Sequence, residues 1–224
     1  LRKLIILNVL IADYHQVTID AYKTILSFSL QLGDNINFIE ANSCEEAYLK
    51  INQCIDNNLR IDLAILDYSM PVYSEKNILN GADVCIYLQK QMPSCINMIL
   101  TSIMENIILF EIILNVKPHG IVTKSDIDGN KFLEIIEIVL SGKKYRSDFV
   151  SMQIEEIWEN KAFVNDLNRK ILQYLSKGYK LKEIAQELDV SEITIKKRIS
   201  KIRGSLNLNE DDNMLKEAKS RGYL

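Results

Sequence analysis

The sequence predicts an α/β fold, a doubly wound five-stranded parallel sheet of strand order 2-1-3-4-5, followed by a small all-α domain. Three observations predict it. Short apolar runs alternate with helix-period segments over the first two-thirds of the 224 residues, as expected of parallel strands covered by helices on both faces. The strand pattern stops after "SGKKYRS", and from about Ser147 onward everything reads as helix. The charge also reverses, with 13 Lys+Arg against 21 Asp+Glu in 1–159 (net −8) and 14 against 9 in 160–224 (net +5). An acidic front and a basic tail imply two domains with different partners, the tail's being an anion. The expected divisions are 1–141, a helical linker over 142–160, and 161–224.

Each element follows from local pattern. Strands are expected at Leu4–Ala12, Asn37–Ala41, Leu63–Leu66, Ile96–Thr101 and Gly120–Thr123. "SCEEAYLKINQCIDN" opens on Ser43 with Glu46 three positions on, a capping box that satisfies free backbone donors at a helix start. Other helices run from about Val17 to Leu32, Ala82 to Gln91, Glu105 to Asn115 and Lys131 to Leu140. Five such β–α units fit a flavodoxin-like sheet, whose ligands sit at the carboxyl ends of the strands. "SDFVSMQIEEIWEN" reads as a connecting helix packed through Met152, Ile154, Ile157 and Trp158. Four short helices follow at about 165–176, 181–188, 191–206 and 211–220, broken at Gly178, Asp189-Val190 and Asn207–Asn209.

Composition excludes several classes. Apolar residues make up 47% of the chain, enough for real cores. The longest strongly apolar stretch, Leu4–Ala12, is far short of the roughly 20 residues a membrane span needs. Cytoplasmic residence without a membrane partner is the default expectation. Cys44, Cys54, Cys85 and Cys95 form no CxxC pair and have no nearby histidine partner, which argues for reduced, buried thiols over zinc or disulfides. Strand one runs into "DYHQ", without the glycine-rich phosphate loop of a nucleotide-dependent enzyme.

Polar residues stand where the apolar runs stop. Strand one ends at Asp13, strand three at Asp67 in "IDLAILDYSMP", strand four at Thr101 in "ILTS" and strand five at Lys124 in "IVTKS". Right-handed crossovers put these ends on one edge of the sheet. A carboxylate pair there suits Mg²⁺, a hard ion that favours oxygen ligands and keeps several waters. Asp67 is placed to act as a nucleophile toward a phosphoryl group, with Lys124 and Thr101 stabilising the transferred oxygens.

These residues, in this order, resemble the receiver domain of two-component response regulators over about residues 4–141. The resemblance implies that Asp67 is the phosphoacceptor, Asp13 a magnesium ligand and the main-chain carbonyl of Ser69 a further ligand. It matches Thr101 to the switch hydroxyl and Lys124 to the family's lysine. Three departures stand out. Tyr14 replaces a second acid after strand one, which implies weaker Mg²⁺ binding. Ile121 stands where the family often has a switch aromatic. The loop "VYSEKNILNGAD" delays Gly81 by several residues. Tyr14 is expected to pack over the pocket, and His15 and His119 to be loop or surface residues.

In the tail, "EIAQELDVSEITIKKRISKIRGSL" is a short helix, a tight turn and a helix capped by Ser191. At 100° per residue Ile195, Ile199, Ile202 and Leu206 fall in a stripe about 60° wide, opposite Lys196, Lys197, Ser200, Lys201 and Arg203. This stretch resembles the LuxR/NarL-type helix-turn-helix, matching at Glu183, Ile184, Ala185, Leu188, Ser191, Thr194 and Lys196. The resemblance implies DNA as partner, with Lys196, Lys197 and Ser200 facing bases and Thr194, Lys201 and Arg203 contacting phosphates. "DLNRKIL" lacks the usual Pro-Arg-Glu start, and Arg198 replaces a common histidine.

The whole chain therefore resembles a response regulator of the NarL/FixJ family, a transcription factor rather than an enzyme. The resemblance implies phosphorylation by a partner histidine kinase and an active homodimer. The alternative is an atypical regulator whose receiver works without phosphorylation, motivated by Tyr14 and Ile121.

Overall fold

The computed structural model describes residues 6–29, 35–209 and 211–224. Contacts group the chain into two compact units, one holding residues up to Ile103 with Ile112–Val150, the other Met104–Glu111 with Ser151–Leu224.

The sheet carries β1 (Leu7–Ala12), followed by α1 (Gln16–Ser29), β2 (Ile36–Ala41), α2 (Cys44–Asp56), β3 (Leu63–Asp67) and α3 (Gly81–Gln91). It continues with β4 (Ile96–Thr101), α4 (Asn106–Glu111), β5 (Gly120–Thr123), α5 (Gly129–Leu140) and a two-residue β6 (Tyr145–Arg146). The order is β2-β1-β3-β4-β5-β6 and every pairing is parallel. This is the expected sheet with one short edge strand added. Leu4 and Ile5 of the first expected strand, and residues 30–32 of the first expected helix, lie outside the described residues.

The strands are apolar because both faces are covered. Val9, Ile11, Leu63, Ile65, Met98, Leu100 and Val122 form one core with Ile19, Leu26, Phe132, Ile135 and Val139 of α1 and α5. Leu10, Ala64, Leu66, Ile99 and Ile121 alternate with them along the strands and are equally buried, so they face the other side. All four cysteines are free and buried. Ser43 caps α2 by accepting the Glu46 amide at 3.1 Å, but the Glu46 carboxylate returns to the Asn42 amide, not to Ser43. The helix expected over Glu105–Asn115 is α4 followed by a π-helical turn, Ile112–Val116, that ends at left-handed Lys117.

The remaining helices are α6 (Asp148–Glu159), α7 (Lys161–Val164), α8 (Asp166–Ser176), α9 (Leu181–Glu187), α10 (Glu192–Ser205) and α11 (Met214–Ser220). Gly178, Asp189 and Asn207, at the three expected breaks, all have positive φ. In α6, Ile154 and Ile157 are buried as expected, but Met152 is 58% and Trp158 50% exposed. Val150 takes the buried position instead, and the Trp158 ring meets Phe110 edge-on at 5.2 Å. Ile171, Ile184, Ala185 and Ile195 form the core of the helical domain, with Ile199 packed against it.

Within this second unit α4 is held by several groups. The Ile107 amide donates to the Gly222 carbonyl at 3.0 Å. The Arg169 guanidinium lies 5.4 Å from the centre of the Phe110 ring, with Nε 3.6 Å from the Glu111 carboxylate.

Candidate phosphoacceptor site and DNA-reading helix

Register builds the first site. Ala12 pairs with Leu66, so Asp13 and Asp67 follow at adjacent strand ends, and Asp67 itself pairs with Leu100, one residue before Thr101. Thr101 pairs with Thr123, the residue before Lys124. Four polar residues thus cap four neighbouring strands.

Lys124 ties the two acids together, its Nζ 2.7 Å from Asp13 Oδ2 and 2.9 Å from Asp67 Oδ1. Asp13 and Asp67 are only 1% and 4% exposed, so an unpaired carboxylate here would be costly. Burial pushes the Asp67 carboxyl above the ordinary range, outweighing the hydrogen bonds from Lys124 and Ser69 that lower it. Burial works against the Lys124 charge, but hydrogen bonds to Asp13 and Asp67 hold its ammonium above the usual lysine value. Lys124 therefore remains a cation beside Asp67.

Asp13 Oδ1 accepts the His15 amide at 2.9 Å, and the Asp13 carbonyl accepts from the Asn42 side chain at 3.1 Å. Sequence reasoning missed Asn42, because an asparagine just before a helix reads as turn chemistry. Thr101 is fully buried and its hydroxyl accepts the Ile103 amide at 2.9 Å. Ser69 is exposed in the turn after β3. Tyr14 does not cover the pocket as expected. It is exposed and meets His15 edge-on. His119 is not a surface residue either, since its half-buried Nδ1 accepts the Asn97 amide at 3.2 Å.

The long loop has a built conformation. Tyr73 and Ile78 exchange two backbone hydrogen bonds around left-handed Asn77. Asn80 caps α3, accepting the Ala82 and Asp83 amides at 2.9 and 3.1 Å. Gly81 then donates to the Tyr68 carbonyl at 2.9 Å. A Cβ on Gly81 would sit 2.0 Å from the Asp67 carbonyl oxygen, which explains why the delayed glycine is a glycine.

In the tail, Ser191 caps α10 by accepting the Thr194 amide at 3.1 Å, and the two hydroxyls lie 2.9 Å apart. Ile195, Ile202 and Leu206 are buried, while Lys196, Lys197, Ser200 and Lys201 are exposed. Arg203 differs from its expected neighbours: it is partly buried and donates to the Asp212 and Asn209 carbonyls. Thr194 is likewise drawn into the cap.

A parallel sheet of this order with two acids and a lysine at its carboxyl edge, followed in the chain by a capped basic helix on a small helical core, is the arrangement that the resemblance to response regulators implies. The comparisons with known proteins agree. Residues 168–216 match the family described as bacterial regulatory proteins, luxR family. The chain is similar to the oxygen regulatory protein NreC of Staphylococcus carnosus, 25% identical over 97% of this chain and 99% of that one. It is also similar to the DNA-binding transcriptional activator DevR/DosR of Mycobacterium tuberculosis, 26% identical over 75% of each. Its fold matches that of RcsB in a structure of two dimers bound to two parallel DNAs, with TM-score 0.64, 23% identity and coverage of 96% of this chain and 98% of that one. The family match thus falls on the segment that carries the helix-turn-helix, and the chain as a whole is similar to regulators of which one is described as a DNA-binding transcriptional activator.

Proposed function

We propose that Asp67 accepts a phosphoryl group from a phosphohistidine of a partner kinase, and that the phosphorylated chain binds paired DNA half-sites as a homodimer. The observation that carries this reading is the single Lys124 ammonium bonded to both buried carboxylates. It leaves Asp67 ionised enough to attack and supplies a fixed cation where the phosphoryl oxygens arrive. An Asp67 oxygen bonds to phosphorus as the phosphorus–nitrogen bond breaks, and the imidazole leaves with its electron pair and takes a proton. The product is an acyl phosphate, whose oxygens the Lys124 ammonium and the Thr101 hydroxyl are placed to stabilise.

The donor set of Asp13, Asp67 and the Ser69 carbonyl fits Mg²⁺. Two carboxylates and a carbonyl are hard oxygen ligands, and this ion is content with few protein ligands and several waters. Bound there, Mg²⁺ would neutralise charge on the incoming phosphoryl group.

For DNA, the exposed Lys196, Lys197, Ser200 and Lys201 supply phosphate attraction and base contacts from a helix whose other side is buried. Thr194 and Arg203, both engaged within the domain, serve the helix's conformation first and phosphate contact second. The relatives NreC and DevR/DosR, and the RcsB dimers on DNA, support a transcription regulator acting as a dimer. On this reading, with a kinase partner and a DNA target, the work would be done in the cytoplasm. Among the described residues no helix is long and apolar enough to cross a membrane.

The test is to incubate the full chain with acetyl phosphate and Mg²⁺, follow intact mass, and measure oligomeric state by sedimentation. The expected result is a phosphoryl adduct that Asp67→Asn abolishes, and a larger species formed with it. A second reading, a receiver that works unphosphorylated, is favoured by the missing acid at Tyr14. It predicts no adduct, and dimerisation and DNA binding that Asp67→Asn leaves unchanged.

A further inference from the structure

The loop that lengthens the β3–α3 connection builds a surface that the phosphoacceptor chemistry does not use. Between α2, α3 and this loop lies a cavity of about 360 Å³, walled by Tyr48, Tyr87, Ile78 and Ile86 and carrying Lys76 and Lys90. Its walls are fixed. The Tyr48 and Tyr87 rings lie 4.7 Å apart, the Tyr87 hydroxyl donates to Asn52 at 2.9 Å, and Tyr73 leans on Tyr48 at 5.6 Å. The loop is pinned at both ends, by the Cys44 amide on the Pro71 carbonyl at 3.0 Å and by the Leu79 amide on Asp83 at 2.8 Å.

Two features say what fits there. Ile86, in the cavity wall, is exposed, as are Val72 and Leu79 of the loop that forms one side of it, so apolar side chains are left open to a partner here. Lys76 and Lys90 are exposed and form no ion pair among the described residues. The Lys76 ammonium lies 5.9 Å from the centre of the Tyr48 ring. Asp83, the one acid in the lining, already caps the loop through Leu79. Two lysines beside an aromatic-walled apolar cavity, neither in an ion pair among the described residues, stand out in a segment, 1–159, whose net charge is −8.

We propose that this cavity docks an acidic segment of a partner protein, one apolar side chain entering between Tyr48, Tyr87 and Ile86 while flanking carboxylates meet Lys76 and Lys90. An aromatic or aliphatic anchor in a pocket with charges at the rim is how short segments are held. The docking does not depend on phosphoryl transfer at Asp67, so the two readings fail separately.

The test uses the full chain and fluorescein-labelled, end-capped peptides followed by anisotropy. The probes are Glu-Asp-Phe-Glu-Asp, its neutral form Gln-Asn-Phe-Gln-Asn, and its anchorless form Glu-Asp-Ala-Glu-Asp. Binding of the first is expected to be at least about fivefold tighter than that of either control, and to weaken with salt. The Lys76→Gln/Lys90→Gln double variant is expected to lose about tenfold in affinity while keeping its melting temperature and its labelling by acetyl phosphate. No binding at about 1 mM overturns the proposal, as does binding that ignores the double variant or the loss of phenylalanine. Phenylpropionate binding as tightly as the peptide overturns it in favour of a small-anion pocket. Self-association that the double variant abolishes overturns it in favour of a second copy of the chain.

Discussion

Replacing Gly81 by alanine tests whether the loop geometry truly sets the position of Asp67. The added Cβ would stand 2.0 Å from the Asp67 carbonyl oxygen and 2.9 Å from its carbon, both backbone atoms, whereas ordinary contact begins at 3.4 Å. The separation must grow from 2.0 to at least 3.4 Å, about 1.4 Å. Strand β3 cannot yield cheaply, being hydrogen-bonded to β1 on one side and β4 on the other. The start of α3 must yield instead, stretching the 2.9 Å bond from the Gly81 amide to the Tyr68 carbonyl. Overpacking of this kind costs roughly 1–3 kcal/mol, and loss of the bond adds about 0.5–1.5 kcal/mol. A fall of about 2–4 kcal/mol is expected, about 5–15 °C in the melting temperature followed by circular dichroism. Any share of the displacement that reaches Asp67 slows phosphoryl labelling, by as much as about a hundredfold for a shift near 1 Å. Gly81→Ala melting within about 1 °C of the parent, and labelling at the parent's rate, would refute the reasoning.

Other expectations follow from single contacts. Asp67→Asn should raise the urea midpoint at pH 7. With its pKa raised by burial, the folded protein binds more protons than the unfolded chain from the ordinary value of 3.8 upward, so stability falls as pH rises through that window. The gain should shrink as pH drops toward 3.8. Burial, and then Lys144, hold the His119 pKa below 6.5, so stability should decline as pH falls below 6.5, and a titration of the melting temperature should show this slope flattened in His119→Gln. Arg169→Met removes the donors to the Phe163 and Val164 carbonyls at 3.1 and 2.7 Å. A loss of about 2–5 kcal/mol from the helical domain, read by thermal melting, is expected. Lys196→Ala should lower the slope of log K against log salt for DNA binding by about 1 per subunit. Arg203→Ala should leave that slope nearly unchanged and lower the melting temperature instead.

The sheet was legible because a strand buried on both faces has to be apolar throughout, so Leu63–Leu66 and Ile96–Thr101 announce themselves. The same logic exposed Asp67, since a carboxylate at the end of such a run is out of place unless something pairs with it. Lys124 bridging both acids was not legible, because a lysine's reach depends on a rotamer and not on spacing. The partners of Arg203 were not legible for a related reason. Its position on α10 fits the cationic side, but nothing local shows that the carbonyls of Asn209 and Asp212 lie within its grasp. Trp158 and Met152 misled through hydrophobicity alone, since helix period permits several faces and tertiary neighbours choose among them. His119 is the loop residue expected, but its half-burial was not legible because its partner, the Asn97 amide, is 22 positions away.

The allegiance of α4 bears on how this gene can be dissected. A fragment ending at Val150 would keep that helix but lose Trp158, Arg169 and Gly222, stranding the Ile107 amide and the Phe110 ring. Behaviour measured on such a half-protein, whether labelling kinetics or solubility, would belong to a molecule with a raw flank that the intact chain never shows.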